Sequence, residues 1–143
     1  MQTYESLKHT TWDCKYHVVF IPKCRRKVLY QGLRQELGRV FRSLAEQWEC
    51  RVEEGHLMPD HVHMCLSIPP KYAVSSVVGY IKGKSAIAIA RQFGGRQRNF
   101  TGEVFWARGY FVSTVGLDEA MVRAYIRNQE QADERYDQMK LGL

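Results

Sequence analysis

Two rhythms of apolar residues run along this chain, one of period two and one of helical period. Tyr16–Pro22 (YHVVFIP) is a β-branched and aromatic run that stops at a proline, which predicts a strand. Leu33, Leu37, Val40, Phe41, Leu44 and Trp48 recur at helical spacing and predict a first helix from Gln31 to Trp48. Arg51–Met58 predicts a second strand, with Gly55 as a bulge or a point of close approach. Met58-Pro59-Asp60 is a tight turn, so the apolar segment that begins at His61 is expected to fold back as a hairpin partner. Val74, Val77, Val78, Ile81, Ala88 and Ile89 share one face of a second helix over Ala73–Phe93, which Gly83 weakens locally. A loop rich in Gly and Arg follows over Phe93–Gly102. The aromatic and β-branched stretch Glu103–Val115 predicts a fourth strand, kinked or bulged at Gly109. A third helix is expected from Leu117 to about Asp137, polar and charged towards its end.

The order is β-α-β-β-α-β and then a helix, which is the ferredoxin-like split βαβ pattern of an α+β fold. A four-stranded antiparallel sheet would bury one face under two helices, and the extra C-terminal helix could cover the other. No repeat, linker or low-complexity segment interrupts the chain, and 143 residues suit one domain over 1–143.

The third strand carries the sharpest chemistry. Strand side chains alternate faces, so His61 and His63 point one way while Val62, Met64, Leu66 and Ile68 form a continuous apolar face. Two Cα atoms two residues apart on a strand are roughly 7 Å apart, close enough for both imidazoles to reach one metal ion. A partly exposed strand face with no ligand role explains the same pair equally well. Asp60 is either an acceptor that orients the His61 ring or simply a turn residue. His56, on the paired strand, reads as structural, and nothing selects Glu53 or Glu54 for a role.

The formal net charge is +6, which favours a polyanionic partner such as nucleic acid. The four cysteines form no Cys-x-x-Cys pair, so a structural zinc knuckle is not expected. Cys50 and Cys65 read as small buried hydrophobes. The polar start Met1–Thr11 is unlike a signal peptide, and no apolar run reaches membrane-span length. A reducing, cytoplasmic setting is therefore expected. Positive charge gathers at Lys23, Arg25, Arg26 and Lys27, again at Lys82 and Lys84, and at Arg91, Arg96 and Arg98 with Phe93 and Phe100 interleaved. Such surfaces track a single-stranded backbone and stack its bases, although solvated faces have the same composition.

On the last helix, Tyr125 and Gln129 are four residues apart and share a face. A tyrosine is a nucleophile once its proton is removed, and an amide oxygen is a neutral metal ligand. Two neutral imidazoles and an amide would leave a divalent ion its full charge beside a phosphate anion. Tyr136, about three turns further on and on the same face, is a rival nucleophile that spacing does not exclude.

The combination of His61-Val62-His63 with Tyr125-Ile126-Arg127-Asn128-Gln129 resembles the HUH (His-hydrophobic-His) single-tyrosine transposases, and more closely the small TnpA transposases of single-strand insertion sequences (IS200/IS605-like). Pro22-Lys23-Cys24-Arg25-Arg26-Lys27, Gly55–His63, Tyr80-Ile81-Lys82-Gly83-Lys84-Ser85 and Trp106-Ala107-Arg108-Gly109-Tyr110-Phe111 resemble further segments of that family, in the same order. The resemblance implies that Tyr125 attacks a phosphodiester of single-stranded DNA, leaving a 5′-phosphotyrosine and a free 3′-hydroxyl. It implies Mg²⁺ or Mn²⁺ held by His61, His63 and Gln129, single-stranded DNA with a hairpin at the element ends as partner, and a homodimer. In that family the tyrosine helix of one subunit often serves the His pair of the other, with Gly116 here as a candidate hinge. Related readings with the same chemistry are a repeat-associated transposase or a replication-type nickase. A reading of a different class is a non-catalytic ferredoxin-like nucleic-acid-binding module. Arg108-Gly109-Tyr110-Phe111 is only a partial echo of the aromatic motif that such modules carry.

Overall fold

The computed structural model describes residues 5–7, 9–92, 105–114 and 118–140. A short hairpin, β1 (Glu5–Leu7) with β2 (Thr10–Trp12), precedes β3 (Lys15–Phe20). Then come a 3-10 turn (Cys24–Arg26), α1 (Lys27–Glu46), β4 (Arg51–Leu57) and β5 (Val62–Ser67). The chain continues through α2 (Val74–Gln92), β6 (Phe111–Ser113) and α3 (Glu119–Lys140). The main sheet has the order β4-β5-β3-β6, with antiparallel pairing throughout. Counting from β3, that is the strand order of the ferredoxin-like fold, as expected.

The sheet has two unlike faces. Towards α1 and α2 it presents Val18, Phe20, Val62, Met64 and Leu66, all with essentially no solvent exposure. Leu33, Leu37, Phe41 and Ala45 of α1 and Val77, Val78, Ile81 and Ile89 of α2 close over them. Trp106 stands in the middle, with its ring edge-on to Phe20, Tyr30 and Phe105. Its indole N–H donates to Ser85 Oγ at 3.0 Å, so this large side chain is buried without an orphan donor. On the other face a smaller cluster joins Val19, Ile21 and Ala107 to Val122 and Ile126 of α3. Asp118 caps α3, its carboxylate accepting from the N–H groups of Ala120 and Met121.

Four expectations need correction. The basic run at 23–27 forms a 3-10 turn and the start of α1, so that helix begins four residues earlier than the apolar periodicity indicated. The bulge in β4 falls between Val52 and Glu54, whereas Gly55 pairs in register with Met64. Trp12, the last residue of β2, is buried, and the β1–β2 hairpin lies in a stretch that read only as polar.

The fourth correction concerns the last strand, which is broken. Trp106 bridges to Pro22, Lys23 N–H donates to Phe105 O, Ala107 N–H donates to Ile21 O, and pairing resumes only at Phe111–Ser113. Between them Gly109 has φ of +81°, in the left-handed region. The carbonyls of Ala107 and Gly109 turn away from the ladder and accept from Lys82 Nζ at 2.9 and 2.6 Å.

Gly109 and Gly32 therefore predict opposite responses to alanine. At Gly109→Ala the backbone must hold a side chain at positive φ, which costs about 1 kcal/mol or more. Gly32 lies within α1 with open space around it, so Gly32→Ala should stabilise by about 0.5–1 kcal/mol. Urea unfolding midpoints of the two variants should move in opposite directions.

Candidate active site

The β4–β5 turn is built to hold His61. Met58 N–H donates to His61 O at 2.9 Å, closing the turn. Tyr30, fully buried on α1, points its hydroxyl at the carbonyls of both Met58 and His61. Burial pushes that phenol far above its ordinary value, so it stays a donor. β5 begins one residue later, at Val62.

The His61 ring is buried, and its Nδ1 lies 2.7 Å from Asp60 Oδ1. Burial works to raise the Asp60 carboxyl, but the His61 bond and the nearby Arg123, 3.5 Å away, hold it below the usual carboxylate range. An ionised Asp60 can only accept, so the Nδ1–H of His61 donates to it and the orientation of the ring is fixed. Asp60 is thus an orienting acceptor as well as a turn residue.

His63 lies beside His61 on the same face. Burial, reinforced by the imidazoles of His17, His56 and His61, pulls it below the ordinary histidine value, so it is neutral at neutral pH. Both residues line one cavity of about 370 Å³, together with Glu54, His56, Met58, Glu119, Val122 and Arg123. His56, which read as structural, is a wall of this cavity, with its Nε2 3.0 Å from Glu54 Oε1. Two imidazoles that share a cavity suit a divalent ion. No group of three His, Cys, Asp or Glu side chains converges on a metal position among the described residues.

Tyr125 and Gln129 lie elsewhere on the same sheet face and do not line that cavity. The Tyr125 ring packs on Phe111 with centroids 6.1 Å apart, and burial pushes its phenol up to about 12. Gln129 Nε2 lies over Gly109. The residues of α3 that face the histidines are Glu119, Val122 and Arg123. The two histidines thus share a cavity that Tyr125 and Gln129 of the same chain do not line. Tyr136 is exposed, beside Lys23.

Much of the basic run serves α3 instead of facing solvent. Asp133, buried on α3, accepts from the backbone N–H of Cys24 at 2.7 Å. Lys27 pairs with Glu130 at 3.7 Å, and Lys23, a buried residue, holds its ammonium over the Tyr136 ring. Burial, with Asp133 and Glu130 nearby, pushes the Cys24 thiol up to about 11. Arg26 is half-buried, whereas Arg25 is exposed. Lys82, expected on DNA, is half-buried and binds two carbonyls of the broken strand, its ammonium pushed down to about 8 by desolvation. Lys84 and Arg91 are exposed, with Lys84 near the Tyr80 ring. Arg96, Arg98, Phe93, Phe100 and Gly116 lie outside the described residues.

With this geometry in view, comparison with known proteins is decisive. Residues 10–129 match the family of IS200-like transposases. The chain belongs to that family. It is 43% identical over 137 residues to the transposase of insertion sequence element IS200 from Salmonella typhimurium, covering 96% of this chain and 90% of that protein. A crystal structure from Deinococcus radiodurans, assigned as a transposase, superposes with a TM-score of 0.76 at 28% identity, covering 87% of this chain and 97% of that one. A REP-associated tyrosine transposase bound to a REP hairpin shares the fold, with a TM-score of 0.54 at 14% identity over 85% of this chain and 68% of that one. This IS200-like transposase is accordingly a DNA strand-transferring enzyme, and both the fold and the enzyme class implied by the sequence motifs hold.

Of the residues that face the cavity or its histidines, sequence reasoning passed over His17. It lies in the apolar strand YHVVFIP, and only the alternation with Val19 and Ile21 signals that it faces the same side as His63. The contact between α3 and the basic run gives a direct test. Asp133→Ala should strand a buried N–H at Cys24 and lower stability by about 1–3 kcal/mol. Released from its cover, the Cys24 thiol should also react faster with a disulfide reagent than in the wild type.

Proposed function

We propose that this transposase cuts and rejoins single-stranded DNA at insertion-sequence ends, with Tyr125 as the nucleophile and His61 and His63 as ligands of Mg²⁺ or Mn²⁺. The observation that carries the reading is the pairing of two imidazoles, one of them fixed by Asp60 and the other held neutral by burial, in one cavity on the face that α3 covers. A divalent ion bound there would polarise the phosphoryl oxygens and orient the scissile bond. The Tyr125 oxygen attacks phosphorus and the bond to the 3′-oxygen breaks, leaving a 5′-phosphotyrosine and a 3′-hydroxyl. A 3′-hydroxyl later attacks that link, the tyrosine oxygen leaves, and the DNA is rejoined without ATP.

Tyr125 in its present packing is a poor nucleophile, because burial disfavours the phenolate. We place the working tyrosine and the third ligand, Gln129, on the α3 of a second subunit, so that a homodimer holds two composite sites. This arrangement accounts for a cavity lined by His61 and His63 but by neither Tyr125 nor Gln129 of its own chain. The DNA partner is a single strand carrying a hairpin, the kind of ligand bound to the REP-associated neighbour. Arg25 and Lys84 are the exposed candidates for phosphate contacts. The setting is the cytoplasm, which suits four free cysteines. No helix among the described residues is long and apolar enough to cross a membrane.

Covalent trapping tests the reading. Labelled single-stranded element ends with Mn²⁺ should give an adduct on a denaturing gel that EDTA, Tyr125→Phe or His61→Ala abolishes and Tyr136→Phe spares. An adduct that survives Tyr125→Phe would remove Tyr125 from the mechanism. Mixing Tyr125→Phe with His63→Ala should restore the adduct on the His63→Ala chain, since a mixed dimer then has one complete composite site. No restoration in demonstrated mixed dimers would place the tyrosine in cis.

A further inference from the structure

We propose that His17 is a positioning residue for His63, doing for that ring what Asp60 does for His61. The inference rests on the reading of His61 and His63 as metal ligands. His17 is on β3, paired with Cys65, while Val19 is paired with His63, so the two imidazoles meet diagonally on one face of the sheet. His17 Nδ1 lies 3.1 Å from His63 Nε2, with ring centroids 5.3 Å apart and the planes tilted by 34°.

Each of the two candidate ligand rings thus has one nitrogen engaged by a side chain from its surroundings. For His61 the partner is a carboxylate on its Nδ1. For His63 it is an imidazole on its Nε2. A hydrogen bond between two imidazole nitrogens holds one proton between them. With that proton on His63 Nε2, His17 Nδ1 accepts it and His63 Nδ1 keeps the lone pair that a metal needs. The tautomer and the rotation of the ring are then set together, before any ion arrives.

His56 flanks His63 on the other side but does not do this. Its ring stacks on His63 at 5.7 Å and 26°, its Nε2 is committed to Glu54, and half of its side chain is exposed. It packs against the ring without a nitrogen contact to hold a tautomer. Direct ligation by His17 is not the arrangement seen, because no three such side chains converge among the described residues.

The test is Mn²⁺ binding to the full-length protein without DNA, followed by the EPR signal of free Mn²⁺, alongside melting in EDTA. The variants are His17→Phe, which keeps a ring but no acceptor, His17→Asn, whose amide oxygen stands at the Nδ1 position, and His63→Ala. We expect His17→Phe to weaken Mn²⁺ binding by about 10–100-fold, the range for lost orienting partners, with a near wild-type melting temperature. His17→Asn should recover most of the affinity, and His63→Ala should lose binding. Wild-type or tighter binding by His17→Phe would overturn the proposal, as would loss as complete as in His63→Ala without rescue by Asn, which would make His17 a ligand. Wild-type binding by His63→Ala would instead defeat the underlying assignment of the metal site. A second readout needs no variant: ¹⁵N NMR of the metal-free protein should show His63 as the single Nε2–H tautomer, and a mixture or the Nδ1–H form would overturn the proposal.

Discussion

Burial of Val62, Met64 and Leu66 against α1 and α2 leaves His61 and His63 only the opposite face to occupy. Side chains on a strand alternate, so a slip of one residue would put both imidazoles into the apolar core and three apolar side chains beneath α3. Fully burying each of those apolar side chains contributes about 1.5–3 kcal/mol, and this energy fixes the register. The same register aligns His56, His63, Val19 and Phe111 in one row across all four strands. The chemistry is thus carried on the back of the hydrophobic core. Tyr30 ties the two together, reaching from the core helix to the carbonyl of His61.

The second face is covered with less commitment. Val122 and Ile126 bury a small apolar patch, whereas the far half of α3 is held by polar contacts to the 3-10 turn: Asp133 to Cys24 N–H, and Glu130 to Lys27. A surface ion pair of this kind contributes at most about 1 kcal/mol, and the buried carboxylate bond somewhat more. A helix attached in this way is easier to displace than α1 or α2. That fits the proposal that Tyr125, which here lies on Phe111, moves to reach a phosphodiester.

The parts of this architecture legible in the sequence were those set by local pattern. The β-branched and aromatic run located β3, the tight turn at Met58–Asp60 placed β4 and β5 as a hairpin, helical spacing located α1 and α2, and the His-Val-His alternation located the two imidazoles on one face. The parts that were not legible depend on single contacts between distant segments. Nothing local shows that the ammonium of Lys82 will bind two carbonyls of the broken strand, although Gly109 does mark where that strand departs from the ladder. A basic run reads the same whether it meets phosphate or a helix carrying Glu130 and Asp133. His17 looked like one more residue of an apolar strand until the β3–β5 register put its Nδ1 against His63. The Tyr-x-x-x-Gln spacing gave the shared helix face, but not which cavity that face would serve.

The central claim is that the two histidines form a prepared half-site that α3 of the same chain does not complete. Anomalous diffraction at the manganese edge, from crystals of the protein grown with Mn²⁺, tests it most directly. The account predicts a single strong peak within bonding distance of His61 Nε2 and His63, with Gln129 supplied by the α3 of a partner subunit. A peak away from both imidazoles, or one ligated by His61, His63 and Gln129 of a single chain, would contradict it.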